Sequence, residues 1–556
     1  MSLARPLAKL LACLVFGLAA GPSLGQNFTQ IPTPAEPRLG PRAIPVPQAD
    51  LELTIPAQPR APERRAVDEL RFEVRAIAVE GGTIYSPETL AEYYGELIGQ
   101  TVGLSAVVEA AEKIEARYRA DGFVLTRAFV PPQRVGDGTF RIQIVEGYLG
   151  RITFDGGSEA VRERIRAYLR RAFDGRPVNV KWIERGLLLA GDLAGVTAAG
   201  TLQPGDQPGA SDIAVRIEEK PLAAALTLNN RGSKFQGPWS LAGDVSYSNL
   251  LGLTEQVALT LTTVPHDTRE LRQASARYTQ AVGGDGLTLG WDTSYTWAWP
   301  GHTLRSLRVN TVAWRTGPRL SYPMIRSRRE NLTLESSAYF ATTRTLLGSN
   351  LQTNEQYSAA DARATYTHIG FLQGATIFSL GHVRGLDIAT TQEANRFLSR
   401  TDATPHFRKW TAEFRRIQVL PESFSLQWVV SAQHATTPLF AGEEFSLGGS
   451  RFGRGYDPSE ITGRRGLGQG ADLRYGDLAT DGWQPYVFYD AGWAWSRRTG
   501  RASSTQFLSS AGAGVRVQPD TWFTAGFELA QPLTRAPAQA EGRKPLRLLM
   551  DFSARF

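Results

Sequence analysis

The feature that most limits what this chain can fold into is a two-residue hydrophobic period that recurs through its second half. Within 424–432 the even positions are Phe424, Leu426, Trp428, Val430 and Ala432, while the odd ones are Ser425, Gln427, Val429 and Ser431. Val257, Leu259 and Leu261 alternate with polar or small neighbours in the same way. The final segment sets Leu546, Leu548, Met550, Phe552, Ala554 and Phe556 on one face and Arg547, Asp551, Ser553 and Arg555 on the other. Such a period belongs to strands with one apolar and one wet face. A soluble sandwich shares it, so further features must decide. The 335 residues from 222 to 556 hold about sixteen such segments. About 21 residues per segment suits membrane strands of roughly 10 residues, joined by turns at one side and longer loops at the other. Tyr295, Trp297, Trp299, Trp493 and Trp495 stand near segment ends, where an aromatic girdle lies. The expected fold for 222–556 is a transmembrane antiparallel β-barrel of about 16 strands.

Upstream, residues 1–25 combine Arg5 and Lys9 with an apolar run from Leu10 to Ala20 and small residues before Gln26, the pattern of a cleaved secretory signal. Residues 26–70 are read as a Pro-rich linker, a tether rather than a domain, since 31–63 alone hold nine prolines. Beyond it, one order of elements occurs twice. In the first copy a strand from Phe72 ends at Gly81-Gly82, and a helix capped by Ser86 follows. A second helix over 104–120 and strands over 123–129 and 139–145 complete the unit. In the second copy a strand ends at Gly156-Gly157, helices follow near 158–172 and 179–195, and strands over 196–202 and 212–218 close it. Residues 71–149 and 150–221 are therefore expected to be two small α+β modules.

Composition narrows the chemistry. The one cysteine, Cys13, lies in the leader, and six scattered histidines show no ligand or nucleophile-base spacing. No catalytic residue, metal or cofactor is expected. Removing Arg5 and Lys9 takes the net charge from +7 to +5, and no basic stripe interleaved with aromatics supports nucleic-acid binding.

The most informative stretch is Phe445 to Tyr456, Phe-Ser-Leu-Gly-Gly-Ser-Arg-Phe-Gly-Arg-Gly-Tyr, within a long connection over 435–465 between the eleventh and twelfth strands. Its glycines permit tight turns beside Arg454, whose planar fork can hold a carboxylate at two points. The candidate partner is Asp490 in Phe488-Tyr489-Asp490-Ala491-Gly492. Val487, Tyr489, Ala491, Trp493 and Trp495 form the greasy face of that strand, so Asp490 faces the lumen. The residues expected in a loop-to-wall latch are Arg454, Gly455, Tyr456, Phe488, Asp490 and Gly492. Residue types alone leave open that Arg454 is a solvated loop arginine and Asp490 an ordinary lumen charge.

The ordered set of leader, Pro-rich linker, paired modules, barrel, Arg454-Gly455-Tyr456, Phe488-x-Asp490-x-Gly492 and Leu320-Ser-Tyr-Pro-Met-Ile-Arg-Ser-Arg-Arg329 resembles the outer-membrane transporters of two-partner secretion. This is the TpsB or hemolysin activation/secretion (ShlB/FhaC/HecB-type) family. The resemblance implies that the modules are periplasmic POTRA domains and that the barrel secretes an unfolded partner protein, a TpsA-type adhesin, cytolysin or toxin. It implies a chain working as a monomer in outer-membrane lipid. Phe552 and Phe556 would form the C-terminal signal read by the barrel assembly machinery. Many members carry an N-terminal plug helix, for which 26–65 is too rich in proline. A POTRA sheet edge suits an extended client, because backbone pairing favours an unfolded chain. No nucleotide motif is visible, so the drive would come from folding of the client outside. An insertase of the same superfamily and a passive porin are the alternatives; insertases usually carry three to five modules, and a porin needs none.

Overall fold

The computed structural model describes residues 53–54, 71–135, 137–390, 397–496, 503–538 and 540–556. The expected leader, and the linker apart from Leu53–Thr54, lie outside them, as does the question of a plug helix. Residues 222–556 close into a barrel of sixteen antiparallel strands, from Leu222–Asn229 to Arg547–Arg555, with the last paired to the first. Closure leaves no open edge, the condition for placing a sheet in lipid. The sequence period explains which face turns out: Val257, Leu259 and Leu261 are exposed on the outer wall, and Tyr295, Trp299 and Trp495 project near strand ends.

The inner wall departs from a uniformly wet surface. Leu549, on the side of Arg547 and Asp551, is buried with Tyr486, Phe488 and Ala530. That patch can be apolar because a loop covers it from within. Strand length departs from the expectation as well. Val309–Arg326, Glu330–Leu347 and Asn350–Ile369 run 18, 18 and 20 residues, well beyond the roughly 10 that cross a bilayer.

At one mouth of the barrel sits the second of two modules, and the first packs against the second. In the first, helix Leu104–Ala120 buries Val107, Ala110, Ala111, Ile114 and Tyr118, one stripe at helical spacing, against Phe140, Ile142 and Ile144 of strand Thr139–Val145. The strand expected from Phe72 to Gly81 is two strands. Arg71–Glu73 pairs with Thr101–Gly103, and Ala76–Glu80 pairs in parallel with Thr139–Gln143. The expected strand over 123–129 is only Arg127–Phe129, since 123–126 form a turn on the helix end. The second module packs helices Glu159–Asp174 and Val180–Gly191 on strands Tyr148–Gly156, Val196–Pro204 and Ala210–Glu219. Two residues of the supposed tether, Leu53–Thr54, pair in parallel with Gly200 and Thr201. An open sheet edge offers unpaired backbone groups that capture a passing extended segment, which corrects the reading of 26–70 as tether alone.

The repeat extends to a shared device. Glu146 accepts from the Thr83 amide at 2.7 Å, from the Ile84 amide at 3.3 Å and from the Tyr118 hydroxyl at 2.9 Å, just past Gly81-Gly82. Burial, then the Glu146 carboxylate, push the Tyr118 hydroxyl above its ordinary pKa, so it remains a donor. Glu219 accepts from the Ser158 amide and hydroxyl past Gly156-Gly157 in the same way. Glu146→Ala removes the acceptor of four donors, the Thr83 amide and hydroxyl, the Ile84 amide and the Tyr118 hydroxyl, of which only the last is partly buried, so the loss costs about 1 kcal/mol. The expected result is a lower unfolding midpoint for the first module, read by limited proteolysis of residues 71–147 in the purified protein, with Glu146→Gln milder.

Docking of the second module accounts for a motif whose role was not legible. Leu320–Arg329 ends the long strand Val309–Arg326 at a register shift between Pro323 and Ile325. The Arg326 guanidinium meets Asp192 at 2.8 Å through both Nε and Nη2. Arg185 donates to the carbonyls of Pro323 at 2.7 Å and Asp285 at 3.1 Å, and Arg164 to that of Gly283 at 2.6 Å. The Arg328 amide donates to Glu184 at 2.9 Å. Helix Val180–Gly191 is thus pinned to two turns of the barrel rim.

Candidate functional site: an infolded loop held by a buried arginine

The connection between strands Phe424–Ala435 and Arg465–Tyr475 turns back into the barrel. A short ladder, Phe445–Leu447 against Ile461–Gly463, forms its stem. Leu447, Phe452, Tyr456 and Ile461 bury themselves against Ala494 and Leu508 of the wall. Gly453 has φ +87°, the left-handed turn that lets Arg454 double back onto the wall.

Arg454 is 7% exposed and Asp490 0%. Arg454 Nη2 lies 2.9 Å from Asp490 Oδ1 and Nε lies 3.0 Å from Oδ2, a two-point fork. The amides of Gly453 and Arg454 donate to the same Oδ2 at 3.2 and 3.0 Å, and Ser510 Oγ adds a contact at 3.3 Å. Phe488 lies flat under the guanidinium, 3.5 Å from its carbon to the ring centroid. Tyr456 is fully buried and donates to the carbonyl of Ser509 at 3.1 Å.

Two of the expected glycines make room rather than contacts. A Cβ at Gly492 would lie 2.7 Å from both methyls of Leu447, and one at Gly455 would lie 2.8 Å from the backbone nitrogen of Pro532. All six expected latch residues therefore meet at one place. Phe552 and Phe556 do not belong to it. Phe556 stands exposed at the rim beside the modules, and Phe552 pairs with Leu228 on the outer wall.

Arg454 meets three carboxylates rather than the one expected. Arg454 Nη2 also reaches Asp472 at 2.8 Å, and Nη1 reaches Glu528 at 3.2 Å. Asp472 holds Arg474 at 3.0 Å, and Glu528 accepts from Arg231 at 3.2 Å. Burying ions is costly unless each is paired, and in this network each cation shares its acceptors with another. A second anchor, also unforeseen, lies nearer the start of the loop. Glu443 accepts from Tyr339 at 2.9 Å and Tyr357 at 3.0 Å and pairs with Lys409 at 2.7 Å. Glu444 is forked by Arg400 at 2.6 and 3.1 Å. Phe440 stacks on Tyr357 at 4.3 Å. The arrangement holds the loop against the wall at two places.

The comparisons with known proteins agree with this architecture. A family described as haemolysin secretion/activation protein ShlB/FhaC/HecB matches residues 209–517, and a POTRA domain of ShlB type matches 72–147. The heme/hemopexin transporter protein HuxB of Haemophilus influenzae Rd is 24% identical over 66% of this chain and 66% of its own length. The outer membrane transporter CdiB of Escherichia coli O6:K15:H31 is 24% identical over 84% of this chain and 80% of its own. Among solved structures, CdiB from Escherichia coli superposes with a TM-score of 0.73 at 20% identity, covering 92% of this chain and 94% of that one. CdiB from Acinetobacter baumannii superposes at 0.63 and 14% identity, covering 99% and 97%. These likenesses support the fold: a sixteen-strand outer-membrane barrel with periplasmic POTRA modules. Because the family match spans more than half of the 556 residues, the chain belongs to the haemolysin secretion/activation family ShlB/FhaC/HecB.

Proposed function

We propose that this chain is the outer-membrane transporter of a two-partner secretion system, taking a large unfolded partner protein from the periplasm and passing it through the barrel to the cell surface. The observation that carries the reading is a loop infolded into the barrel and held by Arg454, above a mouth to which a sheet-bearing module is clamped. Exposed strand edges in the modules suit backbone pairing with an extended client, and such pairing discriminates against a folded one. Capture is weak and repeated, because each edge offers only a few residues of ladder. Folding of the client outside prevents its return. The transporter works as a monomer in outer-membrane lipid, placed there by the barrel assembly machinery through the strand that carries Phe552 and Phe556. It performs no bond chemistry of its own.

Deleting the gene and comparing the culture medium with the outer membrane tests this. Loss of one large secreted protein, with other barrel proteins at normal levels, is the expected result. A broad fall in barrel proteins with an unchanged medium would instead identify an insertase.

A further inference from the structure

The seam where the barrel closes is its shortest junction. The first and last strands pair only over Ala225–Asn229 against Asp551–Arg555, extended by two backbone bonds between Ala224 and Phe556. The pair Arg272–Val282 and Leu287–Trp297, by contrast, keeps register along its whole length. What the seam lacks in ladder is supplied by side chains. Asn230 exchanges bonds with the backbone of the last strand, donating to the carbonyl of Leu548 at 2.9 Å and accepting from the amide of Met550 at 2.7 Å. One residue further, Arg231 leaves the first strand and grips Asp551 of the last, its Nε 2.9 and 2.8 Å from the two carboxylate oxygens. Its Nη1 then reaches Glu528 Oε1 at 3.2 Å.

Glu528 is nearly inaccessible and serves both places at once. Its Oε2 receives Arg454 at 3.2 Å and the Tyr486 hydroxyl at 2.8 Å, while Oε1 receives Arg231. A buried carboxylate needs its cations, and each arginine helps to hold it where the other finds it. We propose that Glu528 couples the seating of the infolded loop to closure of the barrel seam, with Arg231 as the positioning residue on the seam side. When Arg454 leaves, Glu528 keeps Arg231 and the Tyr486 hydroxyl but loses the cation that fixed it from the loop side, so its hold on Arg231 slackens and the junction of first and last strands loosens. The coupling is reciprocal, as any linkage between two equilibria must be. It goes beyond the transport reading and does not depend on it, since the seam can be observed without a client.

The experiment uses the full chain in outer membranes, with Cys13 replaced by serine and the seam partners Thr227→Cys and Ser553→Cys introduced. A brief oxidation pulse should join this pair readily. Arg454→Ala and Arg231→Ala should each lower the yield about tenfold, the size expected of residues in one network. Arg231→Lys, which keeps the charge, should stay near the parent. With Glu528→Gln already present, Arg454→Ala should change the yield no further. A control pair in the third and fourth strands, Thr260→Cys with Ser275→Cys, should join equally in every variant. An unchanged seam yield in Arg454→Ala overturns the proposal, as does an equal fall at the control pair, which would mean general loosening. If Arg454→Ala does not assemble, the reciprocal measurement decides. Arg231→Ala must then make the loop over 436–464 about tenfold more accessible to protease, and unchanged accessibility overturns the coupling.

Discussion

Replacing Arg454 with alanine is expected to leave an inserted, heat-modifiable barrel that secretes little or none of its partner protein. The barrel survives because its sixteen-strand ladder makes no use of the side chain. The loop does not stay seated, because Asp490, fully buried, would lose its only guanidinium among the described residues and keep two amides and a hydroxyl. Asp472 would keep Arg474, and Glu528 would keep Arg231 and Tyr486. Removing one partner from a buried pair costs about 3–5 kcal/mol, because an uncompensated charge remains. Spread over the equilibrium between docked and undocked loop, that cost lowers the docked population by roughly two to four orders of magnitude relative to the undocked one. Arg454→Lys should recover part of the activity only. A single ammonium cannot reach three carboxylates from one plane, and it stacks less well on Phe488. Secretion at the parental level by the alanine variant would remove the latch from the mechanism.

How much of this was legible follows from which signals are local. The two-residue period marked the lipid face of each strand, since burial in lipid demands it at every turn of the barrel. Parity placed Asp490 in the lumen, and the same argument reaches further. Asp472 lies one step from Leu473, and Glu528 lies between Phe527 and Leu529, all three exposed on the outer wall. A carboxylate opposite greasy neighbours on a membrane strand was therefore a signal for two more members of the network. Arg231 carried no such mark, because it sits in a loop where arginine is ordinary. The second anchor was equally silent. Glu443 and Lys409 are 34 positions apart, and only the return of the loop brings them together. Leu549 stands on the wet-face parity of its strand yet is buried, and period alone cannot say that a loop will cover part of an inner wall. Breaks in the first module's opening strand depend on which partner each half finds, and pairing of that kind is a tertiary fact.

Reversing the charge at the barrel rim should give the second-largest effect. Arg326→Glu places a carboxylate against Asp192, turning a two-point pair at 2.8 Å into a repulsive contact. Arg326 is largely shielded while Asp192 is about half exposed, so the pair is worth more than an open surface bridge and less than the Arg454 network. The remaining contacts, from Arg185 and Arg164 to rim carbonyls, keep the module attached but no longer fix its angle. A client released from a misdirected strand edge then meets the rim rather than the lumen. Secretion is expected to fall about tenfold, the equivalent of 1.4 kcal/mol, while protein level and heat modifiability remain parental. Asp192→Arg alone should do similar harm, and combining the two reversals should restore most of the loss, because the attraction returns with its polarity exchanged. Rescue by the double variant would separate a docking role from simple misfolding, since two unrelated destabilising changes add rather than cancel. If the double variant secretes no better than either single one, the Arg326–Asp192 contact does not set the module's position, and the orientation must rest on the other rim contacts, from Arg185, Arg164 and Glu184.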